Sequence, residues 1–506
     1  MRKNNVSATF FLLIAILSGN SLFATRISQK NPSTSNFNVL SFGAKGDGMA
    51  KDTHSVQSAT DSCFAHGGGT VCFPSGIYLC GSLHLKSNIA LYLDHGSIIR
   101  MSKENEDFDP YEKLDFKTAG DKETSFFHYA LICGEDLEHI AILGTGIIDG
   151  NRTKRGGPKP IALKRCSQVI IRDITLKNAP NYNISLLGTD FVNISGVTIL
   201  NGYSDGIDPD GCKNVRISDC YIDSFDDAIV PKASYSLGYL RSVENFTVTN
   251  CILASNCNAF KFGTESGGGF KNVTVSNCTV IARKVGKPAD AGIALESVDG
   301  AEIEGVTIMN ISMANIISPV FLRLGNRGRD MAIPKPGYLR NVLISHITAT
   351  GATQASLIAG IPGYPIENIT IDHIQITYKG GGAFKGDIES VPELIKEYPD
   401  SDMFGAIPSW GFYVRHAKIL KLQDIDLTLE HPEQRPAFIF EDVAQLRIRA
   451  VTSDQSEDAP AILHFKDVKQ VVISDSLVPN DLATFLAVPD NQKNEIQLIG
   501  NGIIQN

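Results

Sequence analysis

A short apolar pattern, φ-x-φ-x-x-φ-x-φ and often led by Asn, recurs through most of this chain and limits what it can fold into. It is present as QVIIRDITL (168–176), NVRISDCYI (214–222), NFTVTNCIL (245–253) and NVTVSNCTV (272–280). It continues as GVTIMNISM (305–313), NVLISHITA (341–349), NITIDHIQI (368–376) and ILKLQDIDL (419–427). The leading apolar residues Val169, Val192, Val215, Phe246, Val273 and Val306 are 23, 23, 31, 27 and 33 residues apart. Each copy reads as two short strands of period two, joined by a one- or two-residue bend and lacking any helical stripe. One such unit cannot bury its apolar face alone, so units must stack and share an interior. The expected fold is all-β, a single-stranded parallel β-helix. A β-sandwich does not account for near-identical units at intervals too long for hairpins. Asn ahead of a strand suits a bend in which its side chain hydrogen-bonds neighbouring backbone.

The two ends read differently. FNVLSFGAKGDGMAKDTHSVQSATDSC (37–63) leads into GGGTVCFPSGIYL (67–79) and SNIALYLDHGSII (87–99). Within it, Asp52–Cys63 has helical character with a polar start, and is expected to cap the solenoid, because an open end would present unpaired strand edges. The last coils should end near QLIGNGII (497–504). At the N-terminus, Arg2 and Lys3 precede an apolar run from Ala8 to Leu17, and SLFA ends at Ala24. Residues 1–24 therefore read as a signal peptide, with a run too short to span a bilayer. Residues 25–36 read as a polar leader, and 37–506 as the β-helix domain. Export to the periplasm or the extracellular space follows as an expectation.

The chain has 506 residues, 43% of them hydrophobic and 20% charged, enough apolar content for a sizeable core. Its net charge of −9 argues against nucleic acid as a partner. Of ten cysteines, Cys220, Cys251 and Cys278 occupy one slot in three similar units and read as buried small hydrophobes. There is no CxxC pair to suggest zinc. Cys63, Cys72 and Cys80 leave a disulfide open.

The stretch SDGIDPDGCKNVRISDCYIDSFDDAIVPK (204–232) gathers Asp205, Asp208, Asp210, Asp219, Asp223, Asp226 and Asp227. Solvated turns, a calcium site and carboxylates that handle protons are the competing explanations. With coils of about 23 residues, Asp205 should lie beside the Asp226–Asp227 pair on the next coil, ~4.8 Å away. Carboxylates held that close repel, so at least one should keep its proton near neutral pH. An acid beside ionised carboxylates is what acetal cleavage needs. Asp208 would support them, while Asp210, Asp219 and Asp223 read as turn residues.

At these residues the chain resembles the polygalacturonase-type enzymes of glycoside hydrolase family 28. FGAKGDG…KDT, GGGTVCFPSGIY, YSDGID (203–208) and FDD (225–227) carry the resemblance, which covers nearly the whole chain after residue 36. It implies a right-handed, pectin-lyase-like β-helix that hydrolyses pectin-like plant polysaccharide with inversion, needing no metal and no cofactor. Asp226 resembles the general acid, and Asp205 and Asp227 the pair that activates water. An inverting enzyme separates its two carboxyls by roughly 6.5–9.5 Å.

The family usually continues with Gly-His-Gly and Arg-Ile-Lys, which hold a galacturonate at the cleavage point. Here those places read SNCNAFKFGTES (255–266), with Asn258 near the His position, and AGIALES (291–297), with Ala294 and Glu296 at the Arg and Lys positions. The sugar therefore stays open. Lys232, Lys261 and the loop cations Arg323, Arg327 and Arg329 could replace the missing pair, or the loop could be merely solvated. Glu265 and Glu296 could bind sugar hydroxyls. An insertion at about 377–412 breaks the repeat, and it brings Trp410, with Phe412, Tyr413 and His416 close behind. These could wall one end of a groove, favouring cuts from chain ends, or pack the loop onto the solenoid. A polysaccharide lyase using calcium and a non-catalytic glycan-binding β-helix are the other function classes. A single copy should suffice.

Overall fold

The computed structural model describes residues 36–382, 391–454, 459, 461–479 and 485–504. Residues 1–24, read above as a signal peptide, and all of 25–36 except Asn36 lie outside the described residues. The repeat folds as its spacing requires. Val169 pairs in parallel with Val192, Val192 with Val215, Val215 with Phe246, Phe246 with Val273, and Val273 with Val306. The same rung continues through Val342, Ile369, Leu420, Leu446 and Val471. Every one of these side chains is buried, each contributing about 1.5–3 kcal/mol by leaving water. The molecule is a right-handed parallel β-helix with one continuous apolar interior.

Asn shapes the bends, although not through the backbone contacts expected from sequence. Asn214, Asn245, Asn272, Asn341 and Asn368 have φ of 59°, 56°, 56°, 57° and 52°, a left-handed conformation that Asn tolerates better than most residues. Because each coil returns to the same slot, their amides pair with one another. Asn245 Nδ2 donates to Asn214 Oδ1 at 3.0 Å, and Asn368 Nδ2 to Asn341 Oδ1 at 2.7 Å.

The N-terminal end is closed by the helix Thr53–Ala65, which buries Val56, Ala59 and Cys63 against the first coils. Asp52 precedes it, and its carboxylate accepts from the amides of Lys45 (2.6 Å) and Gly46 (3.1 Å). All ten cysteines are free thiols, so none of Cys63, Cys72 and Cys80 forms a disulfide. Cys220, Cys251 and Cys278 are buried on successive coils, as their shared slot implies.

The insertion lies between the strands Glu367–Tyr378 and Phe412–Leu429, which still pair in register from Ile369↔Leu420 to Tyr378↔Leu429. The aromatics that stood out in the sequence pack inward. Trp410 is 1% exposed, edge-on to Tyr378 with centroids 5.4 Å apart, and Phe412 and Tyr413 are buried. His416 binds Asp442 at 2.6 Å and Glu393 at 3.1 Å. None of these four forms the groove wall that the sequence left open.

One face of the solenoid carries the polar cluster. Strands Ala130–Glu135, Lys159–Lys164, Ile184–Leu187 and Ile207–Asp210 pair in parallel there. Bridges Ile207↔Ile229 and Ile229↔Phe260 extend this face to Asn258–Phe262, and from there to Ala291–Ser297 and Ser318–Leu324.

Candidate active site

Coil stacking brings the aspartates together, with one adjustment. Between adjacent coils the register slips from 23 residues at Ile199↔Ile222 to 22 at Gly202↔Ser224. Asp205 is therefore set opposite Asp227, and Asp226 precedes it on the turn. The Gly206 amide donates to the Asp227 carbonyl at 2.9 Å. Ser224 Oγ donates to the carbonyls of Asp226 (3.0 Å) and Asp227 (3.1 Å), and Ser255 Oγ to that of Asp226 (2.6 Å), fixing the turn.

Lys232 Nζ sits at the centre of the buried part. It donates to Asp205 Oδ2 at 2.9 Å, Asp208 Oδ2 at 2.5 Å and the Tyr182 hydroxyl at 2.9 Å. Burial pushes the Asp205 carboxyl well above the ordinary range; Lys232 opposes the rise, and Asp226, Asp227 and Asp208 add to it. Burial raises Asp208 too, against Lys232. Asp227 Oδ1 accepts from the Asn258 backbone N–H (2.9 Å) and Nδ2 (2.8 Å), while Lys261 Nζ lies 3.4 Å from its Oδ2. Burial raises Asp227 as well, opposed by Lys261. Lys261 is also 3.8 Å from Glu296, a fully buried carboxyl whose two oxygens have no hydrogen-bond partner among the described residues. Burial drives Glu296 well above its ordinary value.

Asp226 behaves differently. Its side chain is 24% exposed, against 4% for Asp205 and 7% for Asp227. Burial alone would raise its carboxyl, but the Arg155 guanidinium, then Lys261, hold it below the usual carboxylate value. Arg155 donates from Nη1 to Asp226, and from Nε to both oxygens of Glu123 at 3.1 Å.

The remaining candidates divide. Glu265 lies at this cluster, accepting from Arg329 Nη1 at 2.8 Å; burial would raise it, but Lys232 and Arg329 hold it low. Arg327 is clamped on Asp299 (Nε–Oδ1 2.9 Å, Nη2–Oδ2 2.5 Å) and on the Thr264 carbonyl at 2.9 Å. Arg323 is not at the aspartates. It is buried and donates to the carbonyls of Gly360 (3.2 Å), Glu393 (2.8 Å) and Leu394 (2.9 Å), so it ties the insertion to the solenoid. Asp210 is no solvated turn residue: it is buried, accepts from the Ser234 amide at 2.8 Å and the Ser234 hydroxyl, and burial raises it to about 7. Asp219 is an exposed bend residue with φ 58°, and Asp223 pairs with Arg283.

Asp226, Asp227 and Cys257 can bring ligand atoms within 4.8 Å of one another, so Asp226 and Asp227 approach closer than the roughly 6.5–9.5 Å expected from sequence between an acid and a base carboxyl. They do not suit a cation. Burial beside these carboxylates pushes the Cys257 thiol up, and Arg155 and Lys261 already supply positive charge at the two aspartates.

A family model described as Glycosyl hydrolases family 28 matches residues 113–394, a span that contains all of these groups. The chain belongs to glycosyl hydrolases family 28. It is 26% identical over 369 residues to a probable polygalacturonase of Vitis vinifera, a match covering 67% of this chain and 73% of that one. An exo-poly-alpha-D-galacturonosidase of Dickeya chrysanthemi is 23% identical over 344 residues, 55% of each chain. An exopolygalacturonase structure from Thermotoga maritima shares the fold, with a TM-score of 0.62 at 21% identity over 78% of this chain and 92% of that one.

The family 28 site also contains residues the sequence reading passed over. Arg155 comes from GNRTKRGGP (150–158), a basic, glycine-bearing connection outside the strand repeat. Tyr182 was hidden in an ordinary coil. Tyr398 and Asp400 come from the insertion; the Tyr398 ring lies 5.7 Å from both Lys261 Nζ and the Arg327 guanidinium. Burial raises Asp400 to about 6, opposed by Lys261. The insertion thus does wall the cluster, with different residues from those that stood out in the sequence.

Proposed function

We propose that this glycoside hydrolase is exported and cleaves glycosidic bonds in pectin-like plant polysaccharide by direct displacement with inversion. The names of its relatives, a probable polygalacturonase and an exo-poly-alpha-D-galacturonosidase, support the pectic substrate. Asp226 is the general acid, and Asp205 and Asp227 activate the attacking water. The observation that carries this reading is the contrast among the three carboxylates. Asp226 alone reaches the surface appreciably, as a group that must meet a glycosidic oxygen has to. Asp205 and Asp227 are held by Lys232, and by Asn258 and Lys261, so neither is free to turn away.

In the reaction, Asp226 passes its proton to the leaving oxygen as the C–O bond breaks. Water held by Asp205 and Asp227 attacks the anomeric carbon from the opposite side and gives up a proton to one of them. Asp208 and Lys232 position Asp205, Asn258 and Lys261 position Asp227, and Glu265 offers an acceptor for a sugar hydroxyl. The test is a panel of pectic fragments, neutral side chains included, with products read by mass and anomeric configuration for the wild type and for Asp226→Asn and Asp227→Asn. Near-normal hydrolysis by either variant sinks the assignment, and unsaturated product ends would turn the reading toward a lyase.

A further inference from the structure

We infer that Arg155 determines substrate specificity: it releases Asp226 to grip a carboxylate on a sugar flanking the cleaved bond, so that an acidic substrate frees the acid that will cut it. This rests on Asp226 being the general acid.

The geometry of the guanidinium supports the exchange. Its Nε and Nη2 are anchored on Glu123, in the short helix Lys122–Ser125, while Nη1 alone reaches Asp226. Each terminal nitrogen also carries a second N–H, and the side chain is 48% exposed. Arg155 can therefore turn about its Glu123 anchor without being stripped of all its partners. Its loop is held beside the coil by the Gly156 amide, which donates to the Pro180 carbonyl at 2.8 Å.

The other cations of the cluster cannot do this. Lys232 and Lys261 are buried, Arg327 is clamped on Asp299, and Arg323 lies under the insertion. Arg329, partly exposed, is spent on Glu265. Arg155 is the half-exposed cation in contact with the proposed acid, and planar guanidinium is well matched to a carboxylate.

The exchange also resolves a conflict in the resting site. A general acid needs its proton, yet Arg155 holds Asp226 ionised. The groups facing Asp226 are Arg155 with Glu123 behind it, Lys261, Lys232, Asp205, Asp227 and Cys257. Once Arg155 moves to a substrate carboxylate, Asp226 loses its nearest opposite charge and keeps two carboxylate neighbours. It then takes one proton from solvent, and that proton is the one delivered to the leaving oxygen. A neutral sugar has no anion to exchange, so Asp226 stays paired.

The experiment compares wild type, Arg155→Gln and Arg155→Lys on oligogalacturonides and on their carboxyl-reduced counterparts, with full pH profiles. In R155Q, KM for the acidic oligomer should rise at least about tenfold, with little change for the reduced one. The basic limb of kcat/KM should move up, while that of kcat, which reports the complex, stays in place. R155K should keep part of the preference for acid. An equal loss on both substrates, or an unmoved kcat/KM limb on the acidic oligomer alone, overturns the inference. If Asp226→Asn is inactive while R155Q loses equally on both substrates, only the role of Arg155 falls. If D226N stays active, the acid assignment itself is wrong.

Discussion

Asp205 lies directly across the coil step from Asp227, with the Gly206 amide bonded to the Asp227 carbonyl at 2.9 Å. That pairing is a property of the backbone ladder. It fixes the two carboxylates relative to each other before any side chain is placed. Replacing either by Asn should therefore leave the fold intact and remove chemistry. D205N and D227N are each expected to lower kcat by about 100- to 10,000-fold, with circular dichroism unchanged.

Lys232 is a buried cation shared by Asp205 and Asp208. Lys232→Met would leave two buried carboxyls without their partner, and should cost about 3–5 kcal/mol in denaturant unfolding. Adding Asp208→Asn should recover part of that loss. A double variant no more stable than K232M would show that the two groups are not coupled.

Asp210 gives the stability a pH dependence of its own. Its carboxyl is raised to about 7 in the fold, against roughly 3.9 when unfolded. Between these values the folded chain binds the extra proton, so this contribution is fully present below about pH 4 and is lost as pH rises through about 7. Asp210→Asn removes the titrating group. The stability difference between variant and wild type should shift in the variant's favour from pH 5 to pH 8, measurable as Tm at each pH.

The bend residues test the Asn ladder. Asn245→Ala forces a β-carbon with no compensating polar group into φ 56° and breaks the bonds to Asn214 and Asn272. A loss of about 1–2 kcal/mol is expected, and Asn245→Gly should lose less. Equal losses would mean that the side-chain ladder, and not the backbone angle, decides.

Trp410 and Tyr398 belong to the same insertion and should respond oppositely. Trp410→Ala empties a core position and should destabilise by about 3–5 kcal/mol. Tyr398, about half exposed beside Lys261 and Arg327, should change stability by less than about 0.5 kcal/mol as Tyr398→Ala while raising KM several-fold.

Much of this was legible in the sequence because a solenoid converts sequence spacing directly into spatial neighbours. The Val169–Val192–Val215 rung and the meeting of Asp205 with Asp227 follow from coil length, and the cap helix from its own break in the strand pattern. What was not legible depends on where loops return. The TKRGG connection carries no period, so nothing in it showed that Arg155 reaches Asp226. Arg323 looked like a loop cation but lies on the strand Ser318–Leu324, beneath the insertion. Asp210 read as a turn residue, yet it ends a buried strand. Trp410 drew attention by its rarity, and rarity says nothing about direction.

The insertion leaves the solenoid after Tyr378 and rejoins it at Phe412 with the strand register unbroken. That makes the outer wall an exchangeable part. Its length and lining can be rewritten without disturbing the spacing of the carboxylates, which is set by coils that precede it in the chain. Selection can then fit the enzyme to a new polymer one loop at a time, while the proposed bond-breaking groups stay under a separate constraint, a coil of fixed length.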